Sequence, residues 1–191
     1  MKLFYTGAAK FDFPQADAIR SLGGYISATE IPNGSLGNLF GDLSKLTVQQ
    51  GKPEIRVIAI KNTDVANKTG LKCWFTYPND GGDPAVDTND CEFEVGFAIP
   101  APDDCGDLMT EKIPNIYAVP YNITLVAGKT SEATALALGT LDAGDYLCIF
   151  IRRKIKASAQ AGKSDDDLLA IFEGTIELPK IEDISLTFAW D

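Results

Sequence analysis

The chain reads as a mainly β protein: an antiparallel β-sandwich with one or two short helices and an extended N-terminal segment. Three observations predict this. Apolar residues alternate with period two through most of residues 54–190, the spacing that puts side chains on opposite faces of a strand. The stretch Asp142-Ala143-Gly144-Asp145 supplies turn chemistry, and the strongest strand signal in the chain follows it directly. In that strand Leu147, Ile149 and Ile151 fall on one face and Tyr146, Cys148 and Phe150 on the other. Apolar residues on both faces mark a strand buried on both sides until Arg152. The βαβ rhythm of a nucleotide fold is absent.

Lys2 to Thr6 forms a short strand. From Gly7 to Leu46 the apolar residues are isolated, and Gly23-Gly24 offers a hinge. Ile31-Pro32-Asn33-Gly34 is a turn. Ser35 to Lys45 has a weak helical pattern with Leu36, Leu39, Phe40 and Leu43 on one side, interrupted by Gly37 and Gly41. A polar, glycine-punctuated stretch with isolated anchors has the character of an arm that crosses to a neighbouring subunit. Phe11, Phe13, Tyr25, Leu39 and Phe40 are then its interface residues. The plainer alternative is a set of sandwich loops and one edge strand. The expected division is residues 1–50 as strand plus arm and 51–191 as the sandwich, within a single folded domain.

From Glu54 onward the strands follow in order. Glu54 to Asn62 is apolar on both faces, hence central. Leu71 to Tyr77 joins it across residues 62–70 as a long-looped hairpin. Pro78 to Asp90 is an acidic loop. Glu92 to Ile99 turns Phe93, Val95, Phe97 and Ile99 inward and Glu92 and Glu94 outward. Pro100 to Pro114 is a second acidic loop, and Tyr121 to Val126 a strand. Ser131 to Leu138 suits a helical turn or a strand equally. Ser164 is a good N-cap for a short helix over 165–173, with Asp165 to Asp167 at the positive end of its dipole and Gly174 as its stop. Asp183 to Trp190 closes the sandwich with Ile184, Leu186, Phe188 and Trp190 inward.

Composition excludes several functions. The chain has 191 residues and no histidine, which removes His-dependent triads, His-ligated metals and the commonest general base. With 17 basic and 27 acidic residues the net charge is −10, a field that repels nucleic acid and anionic membrane. No run approaches the ~18 apolar residues of a membrane-spanning helix. The N-terminal apolar run is too short for a signal peptide, so synthesis in a cytoplasm is expected. Cys73, Cys91, Cys105 and Cys148 fit no zinc spacing, and a reducing compartment favours free thiols.

Two motifs invite over-reading. Ala157-Ser158-Ala159-Gln160-Ala161-Gly162-Lys163-Ser164 fits a permissive phosphate-binding loop, but Ala stands at the first glycine position. Asp165 to Asp167 also place three negative charges where phosphates need to approach. The acidic loops Asp80–Asp90 and Asp103–Asp107 lack calcium-loop spacing and read as solvated surface. No cofactor, metal or catalytic residue is therefore assigned. Arg152, Arg153, Lys154 and Lys156 are the one basic cluster. Arg152 and Lys154 share a face and suit carboxylate partners, within the subunit or across an interface.

Asp142, Gly144 and Tyr146, read together as Asp-x-Gly-x-Tyr-x-Cys, resemble the tyrosine corner of immunoglobulin-like sandwiches. The sandwich is accordingly expected to be immunoglobulin-like or jelly-roll-like. The analogy would set Cys73 opposite Cys148. A second resemblance is carried by Leu3-Phe4-Tyr5-Thr6-Gly7, Ser21 to Ser27, Ile31 to Phe40, Ile58 to Asn62, Ile151-Arg152-Arg153 and Ile184 to Trp190. These segments look like those of small structural virion proteins of tailed bacteriophages, crAss-like phages among them. The resemblance implies a non-enzymatic subunit of a neck, connector or tail ring. It would assemble with copies of itself and neighbouring virion proteins, be located in the virion and be put together in the host cytoplasm. The alternative is a carbohydrate- or receptor-binding sandwich of a fibre or capsid decoration. Either way no nucleic acid or membrane is contacted directly.

Overall fold

The computed structural model describes residues 1–32, 39–40, 52–76, 91–128, 131–155, 168–172 and 184–191. In chain order the strands are β1 (Lys2–Ala8), β2 (Tyr25–Glu30), β3 (Glu54–Lys61), β4 (Lys68–Thr76), β5 (Cys91–Ala98), β6 (Ala101–Pro102), β7 (Leu108–Met109), β8 (Val126–Ala127), β9 (Leu136–Leu141), β10 (Tyr146–Ile155), β11 (Leu168–Phe172) and β12 (Ile184–Ala189). They form an eight-stranded sheet, ordered β6-β7-β2-β1-β3-β10-β5-β8, and a four-stranded sheet, ordered β11-β12-β4-β9. Pairing is antiparallel between these strands except for β11 with β12. The protein is a mainly β sandwich. The helical content of the described residues is two 3₁₀ turns, Ala18–Arg20 and Glu132–Thr134.

Period-two alternation in the central strands creates two cores. Between the sheets, Leu147, Ile149 and Ile151 of β10 and Ile58 and Ile60 of β3 meet Leu71, Cys73 and Phe75 of β4 and Leu186 and Phe188 of β12. On the far face of the large sheet, Tyr146, Cys148 and Phe150 join Ile55, Val57, Ala59, Ile26 and Ile113. That second core lies beneath two irregular covers, which contribute Phe11 and Leu22 from one and Ala118, Ile123 and Leu125 from the other. β10 is thus an interior strand covered on both faces. Each fully buried large apolar side chain contributes roughly 1.5–3 kcal/mol.

Within its described residues the N-terminal segment is not an arm. β1 lies between β2 and β3, well inside the large sheet, and Ile31, Leu39 and Phe40 are buried in the inter-sheet core of their own chain. The division near residue 50 separates no structural unit, because β1 pairs directly with β3. The sequence pattern misled because hydrogen-bonded polar residues occupy buried positions here. Thr6 and Ser21 are both fully buried. The Thr6 amide donates to Ser21 Oγ (2.8 Å), and both hydroxyls donate to the Val57 carbonyl (2.8 and 2.6 Å). Gly7 (φ +81°) bends β1 beside this network, where a Cβ would run into the Arg20 carbonyl oxygen. Residues 33–38 and 41–51, including most of the expected helix over 35–45, lie outside the described residues.

Four further expectations change. β3 and β4 are not a hairpin, since they belong to different sheets. β3 needs cover on both faces, whereas β4 buries one face, so the chain crosses between layers after Lys61. Leu168–Phe172 is strand β11 rather than the core of a helix over 165–173. Its continuous apolar run carries no helical period and pairs in register with β12. Ser164 and the Ala157–Ser164 loop lie outside the described residues, as does the acidic loop 78–90. Ile99 is 79% exposed because β5 has ended at Ala98. The strand expected over 121–126 contracts to β8, while 131–138 resolves into a 3₁₀ turn followed by the start of β9.

Candidate interaction surface

At one end of the sandwich the Asp142–Tyr146 turn is locked from both sides. The Asp145 amide donates to the Asp142 carbonyl (3.1 Å), and Gly144 takes φ +85°. Asn62 reaches across to it: the Gly144 amide donates to the Asn62 carbonyl, and the Asn62 amide donates to the Asp145 carbonyl, both at 2.9 Å. The Asn62 side chain donates to the Ala66 and Leu141 carbonyls. Tyr146 differs from a tyrosine corner. Its hydroxyl donates to the Leu108 carbonyl (2.7 Å), tying the strand to the cover of the outer core instead of back across its own turn. Burial raises its pKa.

At the opposite end, buried charge lies between the sheets. Glu54, Arg56 and Arg153 are all less than 10% exposed, at 8%, 3% and 2%. Arg153 donates to the Glu54 carboxylate (3.1 Å), and Arg56 donates to the Leu39 and Ile55 carbonyls. Both guanidinium groups lie over the Phe40 ring, at 5.1 Å for Arg56 and 4.9 Å for Arg153. Burial lowers the pKa of Arg56, and Glu54 opposes that shift. Each of these groups acts within the chain.

The residues expected at an interface separate accordingly. Leu39 and Phe40 fill the chain's own core and are unavailable to a neighbour. Phe11 is half-buried beside the Tyr146 ring, with centroids 6.4 Å apart. Tyr25 donates its hydroxyl to the Asp103 carboxylate. That carboxylate also accepts from the Cys105 and Asp107 amides, so it is occupied with holding its own loop. Arg152 and Lys154 both contact Glu94, at 3.2 and 2.5 Å. Phe13 is exposed at the border of β2.

Sequence reasoning passed over the loop 111–122, where large side chains stand in solvent. Tyr117, Val119 and Tyr121 are 43%, 60% and 91% exposed. The backbone beneath them is fixed. The Glu111 carboxylate accepts from the Tyr121 and Asn122 amides. The Ile113 amide donates to the Leu22 carbonyl, and the Ile55 amide donates to the Ile116 carbonyl, both at 2.7 Å. Asn115 closes an internal turn onto the Tyr117 amide. Ile113 and Pro120 are buried. Exposed aromatic side chains on a pre-ordered loop bind a partner at low entropic cost. The available signal was Pro114 and Pro120 bracketing Tyr117, with Tyr121 directly after them, a constrained loop that keeps its aromatics.

No group of three or more His, Cys, Asp or Glu side chains among the described residues is placed to hold a metal ion. No helix among them is long and apolar enough to cross a membrane. No protein-family model matches the chain, and no curated protein sequence is similar to it.

Proposed function

We propose that the chain is a structural subunit of a tailed-phage virion, in a neck, connector or tail ring, working through repeated contacts with copies of itself and neighbouring virion proteins. The resemblance of its strand and turn segments to such proteins motivates the reading. The observation that carries it is the loop 111–122: rigidly held, with Tyr117, Val119 and Tyr121 turned outward. The buried polar side chains Thr6, Ser21, Asn62, Glu54 and Arg56 bond within the chain. The test is mass spectrometry of purified particles, followed by electron microscopy of the ring that contains the chain. Stoichiometric presence in particles is the expected result. Absence from particles that assemble normally would overturn the reading.

A second reading, a carbohydrate- or receptor-binding module of a fibre or decoration, is favoured by Tyr121 alone. A free-standing loop tyrosine beside Asn122 has the chemistry to stack on a sugar, whereas Trp74 is partly buried. Loss of binding to host-surface glycans in Tyr121→Ala, with particle assembly intact, would favour this reading over the first.

A further inference from the structure

We infer that the two covers of the outer core form a docking face for an acidic partner protein, one that sets carboxylates among apolar side chains. The inference rests on the function proposed above and names the kind of neighbour that its tyrosine loop receives.

The covers run side by side. The Ile113 amide donates to the Leu22 carbonyl (2.7 Å), and the Thr110 amide to the Gly24 carbonyl (3.1 Å). A Cβ at Gly23 would run into the Glu111 carbonyl oxygen, so the two backbones touch there. Asp17 and Tyr117 both act on the charge of Arg56, which sets the Ala18–Arg20 turn near the tyrosine loop. Eight large apolar side chains are exposed among the described residues, and five of them stand on these covers: Phe13, Ile19, Tyr117, Val119 and Tyr121. Apolar surface gathered on one face marks a contact site.

Charge selects the occupant. Of the twelve described Lys and Arg side chains, seven pair with carboxylates. Lys10, Arg20, Lys52 and Lys112 meet no carboxylate among the described residues, and all four belong to this face. Lys10 lies over the Phe13 ring (5.8 Å) and Lys52 over the Tyr117 ring (5.4 Å), so cation and exposed aromatic are presented together. The carboxylates here are Asp12, Asp17 and Glu111. Asp17 accepts the Ile19 amide, and Glu111 accepts those of Tyr121 and Asn122. Four cations against three acids leave the face at +1 in a chain of −10. At physiological salt, charges more than about 8 Å apart are largely screened, so the local sign decides what docks. A two-fold contact with a second copy would set the same cations against each other. Nucleic acid carries unbroken phosphate charge, which Asp12, Asp17 and the chain's total oppose.

The test is fluorescence anisotropy of the full chain with short labelled peptides. The probe alternates glutamate with leucine and tyrosine. One control peptide carries lysine for glutamate, another serine for leucine and tyrosine, and a single-stranded DNA is the third control. The probe should bind at least about tenfold more tightly than each control, and less tightly as salt is raised. Lys52→Glu with Lys112→Glu, and separately Tyr117→Ser with Tyr121→Ser, should each weaken it about tenfold or more, with circular dichroism unchanged. Lys72→Glu, on β4 of the other sheet, should bind like the parent. No binding of the probe, equal binding of any control, or an equal loss in Lys72→Glu would each overturn the inference. So would self-association of the chain that the Lys52→Glu, Lys112→Glu pair abolishes, since the occupant would then be a second copy. The virion reading is decided separately, by presence in particles, and survives any of these results.

Discussion

Cys73 and Cys148 show how much a single residue's face decides. Cys73 points between the sheets and Cys148 into the core on the far side of the large sheet. The sheet itself separates them, so the disulfide of an immunoglobulin sandwich has no counterpart at these positions. Both are free and buried, and Cys105 is free and exposed. Burial pushes the Cys73 thiol up to about 12 and raises that of Cys148 as well. Alkylation of the native protein should therefore modify Cys105 and spare Cys73 and Cys148 until denaturant is added; peptide mass mapping reads the order directly. Ser21 gives a second residue-scale prediction. Ser21→Ala removes the acceptor for the buried Thr6 amide and one donor to the Val57 carbonyl. It should cost about 1–3 kcal/mol in urea unfolding. The sequence made the parity of Leu147 to Phe150 plain, because both faces are apolar. It hid Thr6 and Ser21, because a buried hydroxyl and a surface hydroxyl look identical until the carbonyl that receives the proton is known.

Among the elements, long apolar alternation was legible and short or partnered pieces were not. β3, β5, β10 and β12 follow from their own residues. β11 follows from β12, which offers a parallel partner 16 positions away at Leu168 and Ile184. No local signal in Leu168–Phe172 expresses that partnership. The loop 103–107 likewise depends on another element, the hydroxyl of Tyr25 on β2. That bond holds Tyr25 at about 12, above its ordinary 10.0, and holds Asp103 below the usual carboxylate range. The raised tyrosine contributes stability that is complete below about pH 10 and is lost as pH climbs through its folded value. The depressed carboxylate contributes above its unfolded pKa and loses that contribution as pH falls through its folded one. Tyr25→Phe should flatten both limbs of the stability profile, as measured by urea midpoints across pH. Parallel profiles for parent and variant would show that the contact does not contribute.

The molecule as a whole depends on its first thirty or so residues. β2 and β1 extend the large sheet from β3, and Ser21 and Leu22 bond to Val57 and Ile113. Deleting residues 7–32 and bridging the gap with a flexible linker should yield an unfolded or aggregated chain. A soluble, cooperatively melting β protein would refute that dependence. The order of the large sheet has a further consequence, for the timing of synthesis. β3 takes its two neighbours from opposite ends of the chain: Phe4 pairs with Ala59 on one side, and Phe150 pairs with Val57 on the other. A ribosome delivers β1 and β3 early and β10 late. Until β10 emerges, the apolar run Val57-Ile58-Ala59-Ile60 lacks its partner along one whole edge. Non-local pairing of this kind is slow and leaves nascent strands prone to aggregation. Yield of soluble protein should therefore rise when translation is slowed by cooling or when a holdase chaperone is supplied, because each protects the same waiting strand.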